Sequence, residues 1–193
     1  MTAAPSTERA FGDQLPPHCH VLKIHIKELD QLFNVMDPSP FRDRDLDPNA
    51  EEFIVGWARE LRADGPLGLV VHLDKQTGTA EEAAMLKDAV RKFFGQRALV
   101  MRQKLRQLLR VGRASLVIGL AFLAMSIVVG DLLAGMMGES RFNSVVRESL
   151  LIGGWVAMWR PLEVFLYDWW PILSEARLLD RLSGMAVQIA QPT

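Results

Sequence analysis

The chain has 193 residues, a net charge of −1 and 49% apolar residues, enough for one medium domain or for one small domain with a membrane anchor. The single cysteine, Cys19, excludes an internal disulfide and a cysteine-based zinc knuckle. Charge is segregated: none lies between Ala114 and Gly130, and none between Ser149 and Trp159.

Residues 1–18 are polar, carry Pro5, Pro16 and Pro17, and lack the basic-then-apolar pattern of a secretory leader. They read as a flexible tail. Residues 19–78 read as a cytoplasmic α/β domain. In it, His20–Ile26 has the alternation of a strand, with Lys23 and His25 between Leu22, Ile24 and Ile26. Leu29, Leu32 and Phe33 suit a short helical turn, and Asp37-Pro38-Ser39-Pro40 forces a loop. A helix is expected from Asp47 or Asn49. Asp47 can cap it, Pro48 suits its first turn, and Glu51 and Glu52 favour its positive end. Ala50, Phe53, Ile54, Trp57, Ala58 and Leu61 would form its apolar face, and Asp64-Gly65-Pro66 would stop it. Leu67–Leu73 then reads as a buried strand. Strand, helix and strand in this order predict a right-handed parallel crossover. Two strands are too few to stand alone, so either a further strand exists or sheets pair between chains.

Thr77 or Thr79 opens the next helix, which has no proline from Ala80 onward through the apolar stretch. Residues 79–113 read as a basic connecting helix. Phe94, Ala98, Met101, Leu105 and Leu108 alternate spacings of four and three, as in a coiled-coil seam. The same face could equally pack on the protein's own domain. Residues 114–137 read as a first transmembrane helix, 138–148 as an external loop, and 149–173 as a second transmembrane helix kinked at Pro161. Residues 174–193 read as a cytoplasmic tail. The fold class expected is therefore α+β/α: a small strand-helix-strand domain, a long connecting helix and a two-helix transmembrane hairpin.

The second apolar segment contains Arg160, Pro161, Glu163 and Asp168. In a straight span Arg160 would lie near mid-membrane, where a charge costs at least ~2.5–3.5 kcal/mol on insertion scales. Glu163 is three residues on, so an intramembrane Arg160–Glu163 pair is expected, with Asp131, Tyr167 and Asp168 as further polar contributors. Trp155, Trp159, Tyr167, Trp169 and Trp170 are interfacial in character. They allow a second geometry, in which Pro161 to Pro171 lies along the membrane surface.

Basic residues set the orientation. Nine lie between Lys87 and Arg113 against Asp88 alone, and Arg177 and Arg181 follow the second segment. The positive-inside rule then places both termini in the cytoplasm. Arg102, Lys104, Arg106, Arg110 and Arg113 are expected to meet anionic lipid headgroups. Because these charges adjoin a membrane helix, nucleic acid is not the expected partner. His18, Cys19, His20 and His25 resemble metal ligands, but no second cluster supports them. Asp43, Asp45 and Asp47 open like a calcium loop. However, Pro48 stands where glycine should turn and Ile54 where the bidentate glutamate should be. There is no phosphate loop, dinucleotide fingerprint or nucleophile motif. The sequence therefore assigns no catalytic residue, no metal and no cofactor, and leaves an enzyme unsupported.

Four segments carry a resemblance: MDPSPFRDRDLD (Met36–Asp47), AEEFIVGWAREL (Ala50–Leu61), PLGLVVHLD (Pro66–Asp74) and GGWVAMWRPLEVFLYDWWP (Gly153–Pro171). The chain from about residue 20 to 185 resembles a family of small, uncharacterised bacterial inner-membrane proteins. The last segment is the most specific, since Trp, Arg-Pro and Glu within a membrane stretch are hard to reach by composition alone. The resemblance implies a bacterial inner membrane and no activity. The function expected is a membrane-anchored interaction or regulatory module, homo-oligomeric, with an unknown protein partner. The alternative is a subunit of an oligomeric channel or transporter using the Arg160–Glu163 pair.

Overall fold

The computed structural model describes residues 9–34, 36–37, 44–61, 65–74, 79–137 and 141–191. The chain forms two compact units, Met1–Val100 with Glu175–Thr193, and Met101–Ser174.

The first unit is built on a mixed four-stranded sheet. Its strands are β1 (Arg9–Gly12), β2 (His20–Ile26), β3 (Leu67–Leu73) and β4 (Ala186–Gln191), in the spatial order β1-β4-β3-β2. β2, β3 and β4 are mutually parallel, and β1 runs antiparallel to β4. The register aligns Leu22 with Leu69 and Val187, and Ile24 with Val71 and Ile189, so the centre of one face is aliphatic. Leu69, Val71 and Ile189 on that face are fully buried. The other face carries Lys23 and His25 beside Val70 and His72, with His25 and His72 stacked at 4.5 Å.

Between β2 and β3 lies α1 (Pro48–Glu60). The connection from β3 to β4 contains α2 (Ala80–Met137), α3 (Arg141–Glu163) and α4 (Trp169–Ser183). Both connections step the same way across the sheet, so crossovers of the usual right hand would put α1 and the parts of α2 and α4 within this unit over one face. Buried Ile54 and Ala58 of α1, Leu86 and Phe94 of α2, and Leu179 and Leu182 of α4 supply the matching apolar layer.

Local chemistry fixes where these helices begin. Asp47 accepts a hydrogen bond from the Asn49 amide at 2.9 Å, with Pro48 in the first turn, as the sequence predicts. Asp47→Ala should cost about 1 kcal/mol, read as a lower urea midpoint with an unchanged slope. Thr79 and Glu82 form a reciprocal capping box, with Thr79 N donating to Glu82 Oε2 at 2.8 Å and Glu82 N to Thr79 Oγ1 at 3.2 Å. Arg59–Glu175 (2.9 Å) and Arg97–Glu51 (2.6 Å) join the helices at the surface, and Lys87 pairs with Asp13. At Gly12, φ is +116°, and a side-chain carbon there would come within 2.5 Å of the Val187 carbonyl. Only glycine lets β1 close on β4.

The second unit is a helical hairpin. The distal part of α2 packs against α3, which passes into a π-helical turn at Val164–Asp168 and then into α4. Gly112, Gly119, Ser126 and Gly130 are buried along α2, spaced mainly by seven. A side-chain carbon at Gly112 would strike Val164 Cγ1 at 2.6 Å, and one at Gly119 would meet Met158 Sδ at 3.0 Å and the Ala157 carbonyl at 3.2 Å. Across the interface, a carbon at Gly154 would lie 2.6 Å from Leu123 Cδ1. Small residues thus let the two backbones approach closely, as helices do in membranes. A seven-residue spacing keeps such a seam facing its partner in left-handed packing.

Several expectations change. The stretches read as tails hold the two missing strands: Arg9–Gly12 is β1, and residues 174–193 contain the end of α4 and the inner strand β4. Residues 141–148, read as external loop, are helical, while 138–140 lie outside the described residues. On α1, Phe53 is 57% exposed and Val55 is buried in its stead, because the contact face follows Ile54, Val55 and Ala58. In the proposed seam, Phe94 and Ala98 are buried within their own unit. The strand shortage and that part of the seam, which had pointed to self-association, are both met within one chain.

Candidate functional site: an ion cluster on the apolar hairpin

Two helical runs, Ala80–Leu133 and Ser144–Ser183, are long and apolar enough to cross a membrane, and most of each apolar window is exposed. Val117, Ile118, Met125, Val128, Ile152, Trp155 and Val156 all point outward. An apolar surface of this extent marks contact with a membrane or another protein.

The contacts between the helices set a register. Gly112 lies level with Val164, Gly119 with Ala157 and Met158, Leu123 with Gly154, and Gly130 with Arg147. Each step along α2 is matched by an equal step back along α3. Glu163 is therefore level with Arg113, the last charge before the apolar stretch of α2. At the other end Arg147 pairs with Asp131 at 3.5 Å. The apolar band between these charged levels, Ala114–Gly130, is about 25 Å long at ~1.5 Å per residue.

This register corrects the expected depth of Arg160. It lies three residues inside the Arg113 level, about 4.5 Å, not at the middle of the band. The middle of the band, near Phe122, is level with Trp155, which is 69% exposed. Helical structure is unbroken from Arg141 to Ser183, and Val164 and Phe165 still face Gly112 beyond Pro161. The run past Pro161 therefore continues beside α2.

Arg160 and Glu163 do pair. Arg160 Nη1 donates to Glu163 Oε2 at 2.9 Å, and the same nitrogen lies 3.5 Å from Asp168 Oδ2. The side chains are 65%, 44% and 32% exposed respectively, so the cluster sits on the outer surface of α3 and not against α2. The local backbone explains the third member. In a regular α-helix eight residues would turn Asp168 about 80° away from Arg160. The π turn at Val164–Asp168 takes up an extra residue and brings it back into line. Pro161 lacks the amide that would serve the Ala157 carbonyl, and that carbonyl faces the Gly119 position instead. Trp169 Nε1 donates to the Phe165 carbonyl at 2.8 Å, satisfying a backbone group within the π turn.

The remaining predicted positions separate. Tyr167 is exposed one residue before Asp168, whereas Asp131 belongs to the opposite end of the hairpin. Arg102, Arg106, Arg110 and Arg113 fall on one face of α2 at spacings of four, four and three, all exposed; Lys104 points elsewhere on the helix. Arg113 Nε donates to its own Leu109 carbonyl at 3.2 Å. Among the described residues, no three His, Cys, Asp or Glu side chains gather to hold a metal. Asp43, of the calcium-like run, lies outside the described residues; Asp47 serves as a helix cap, and the Asp45 amide donates to Asp37 Oδ2. Two features were not read from the sequence. The glycine stripe was legible as Gly112, Gly119, Ser126 and Gly130 in an apolar stretch. The π turn leaves no comparable sequence signal.

The chain matches no protein-family model, no curated protein and no solved structure.

Proposed function

We propose that this protein is a membrane-anchored interaction or regulatory module of the bacterial inner membrane, whose α/β unit engages a partner in the cytoplasm. The observation that carries the reading is the pairing of β1 with β4. Residues 9–12 and 186–191 belong to one sheet, so they lie on one side of any membrane. The chain between them must cross an even number of times, and it offers two apolar helices. The net basic stretch ahead of the first crossing supports a cytoplasmic sheet unit. Arg106, Arg110 and Arg113 stand where anionic headgroups would meet them.

The channel reading has less behind it. The α2–α3 interface is filled by glycine and aliphatic contacts, and Arg160 and Glu163 face outward, so a polar path would need several copies to enclose it. Reporter fusions after residue 80 and at the C-terminus should both read cytoplasmic, and one near Gly138 external. A C-terminal external signal would overturn the two-span reading. Affinity capture from native membranes should return a cytoplasmic or membrane protein dependent on residues 9–74. Ion flux from liposomes holding the purified chain would favour the channel instead.

A further inference from the structure

We infer that the Arg160–Glu163–Asp168 cluster is a binding site for the primary-ammonium headgroup of a phospholipid such as phosphatidylethanolamine. The inference rests on the membrane reading above and adds a ligand to it.

Three observations converge. The first is depth: the helix register puts Glu163 level with Arg113, at the edge of the apolar band, where headgroups begin. Lipid headgroups, not acyl chains, are what this cluster would meet. The second is charge. Two carboxylates share one guanidinium, leaving the cluster one negative charge in excess. Both ion pairs use Arg160 Nη1 and one oxygen of each carboxylate. The second oxygens of Glu163 and Asp168, and Arg160 Nε and Nη2, make no further hydrogen bond or ion pair among the described residues. Carboxylate acceptors beside guanidinium donors complement a headgroup that carries an ammonium next to a phosphate. The third is the surround. Trp159, Tyr167 and Trp170 are exposed on the same run, and their ring faces attract cations. The π turn is what holds the second carboxylate in reach. With a regular helix Asp168 would face elsewhere, and the excess negative charge would be gone.

Because the ammonium hydrogens are the recognition element, each N-methyl group should weaken binding. A site made of rings alone would instead gain from methylation. The test uses the full chain, purified in detergent, and native mass spectrometry with four lipids of identical acyl chains: phosphatidylethanolamine, its monomethyl and dimethyl forms, and phosphatidylcholine. Phosphatidylglycerol serves as the anionic comparison. Retention should fall along the methyl series, by about tenfold from first to last, whereas retention of phosphatidylglycerol, which the Arg106, Arg110 and Arg113 face would hold, should be the same with and without the Glu163 and Asp168 carboxylates. E163Q with D168N should flatten the series, and D131N, at the far end of the hairpin, should leave it intact.

The wild-type series alone can overturn the inference if the double variant fails to fold. Equal retention of all lipids, or retention rising with methylation, removes the headgroup site and leaves the anchor reading standing. A protein that carbonate strips from vesicles of every composition ends both. Efficient disulfide trapping between two chains carrying Trp159→Cys would put a second copy over this surface, and the lipid would lose its place.

Discussion

Deleting residues 185–193 is expected to unfold the sheet unit while leaving the apolar hairpin in place. β4 lies between β1 and β3, so its loss removes both neighbours' hydrogen-bond partners at once. Met185, Val187, Ile189 and Ala190 are all buried. Each of the three larger side chains contributes roughly 1.5–3 kcal/mol by burial. Together they rival the ~5–15 kcal/mol that holds a whole domain together. The measurement is limited proteolysis of membranes from cells making the truncated chain. Residues 9–74 should be cut at least tenfold faster, whereas a fragment spanning 114–170 should stay protected. An intact, protease-resistant sheet unit without β4 would mean that β2 and β3 are completed by some other strand.

Leucine at Gly154 or Gly112 should force the hairpin apart. Each site already has a neighbour 2.6 Å from where the first side-chain carbon would stand. Overpacking of this kind costs ~1–3 kcal/mol in soluble cores. At Gly154 the Leu123 Cα stands 3.3 Å away and cannot swing aside as its Cδ1 can, so the upper end of that range is expected there; at Gly112 the near atoms are side-chain atoms of Val164 and Phe165, and a smaller loss is expected. Gly135 has no neighbour within 4 Å of an added carbon, so leucine there should be silent. Thermal stability in detergent, followed by gel filtration with a fluorescent tag, compares the three variants. Gly154→Leu should lower the midpoint by several degrees and Gly135→Leu should not. Equal midpoints would show that the glycine seam does not hold the helices together.

Much of this architecture could be read before any coordinates. β2 follows from alternation, β3 from a short run apolar on both faces except for His72, and the Asp47 cap from residue types that have few alternative uses. The unbroken helix from Ala80 follows from the absence of proline across a long apolar and basic run. What could not be read was pairing across distance. Arg9–Gly12 is too short and too polar to announce itself, and it becomes a strand only because Gly12 lets it close on β4. Ala186–Gln191 alternates weakly, with alanine and glutamine on one face, and its strand character comes from lying beside β3. The Arg160–Glu163 pair was legible from spacing alone. Its depth was not, since depth is set by which glycine meets which residue on the other helix. The part played by Asp168 depends on one extra residue in a turn, and spacing rules assume none.

The sheet also sets an order of events during synthesis. β3 and β4 are hydrogen-bonded neighbours, yet about 110 residues separate them, and both apolar helices lie in that interval. At ~5–20 residues per second, β3 must wait roughly 6–22 s for its neighbour to leave the ribosome. Both apolar helices therefore leave the ribosome before the sheet can close. During the wait β2 and β3 present an aliphatic face and a bare edge, the state in which strands pair wrongly. A nascent chain stalled after Leu133 should depend on chaperones, and the released chain should not. A domain that encloses two apolar helices between neighbouring strands thus cannot complete its sheet until both helices have been made.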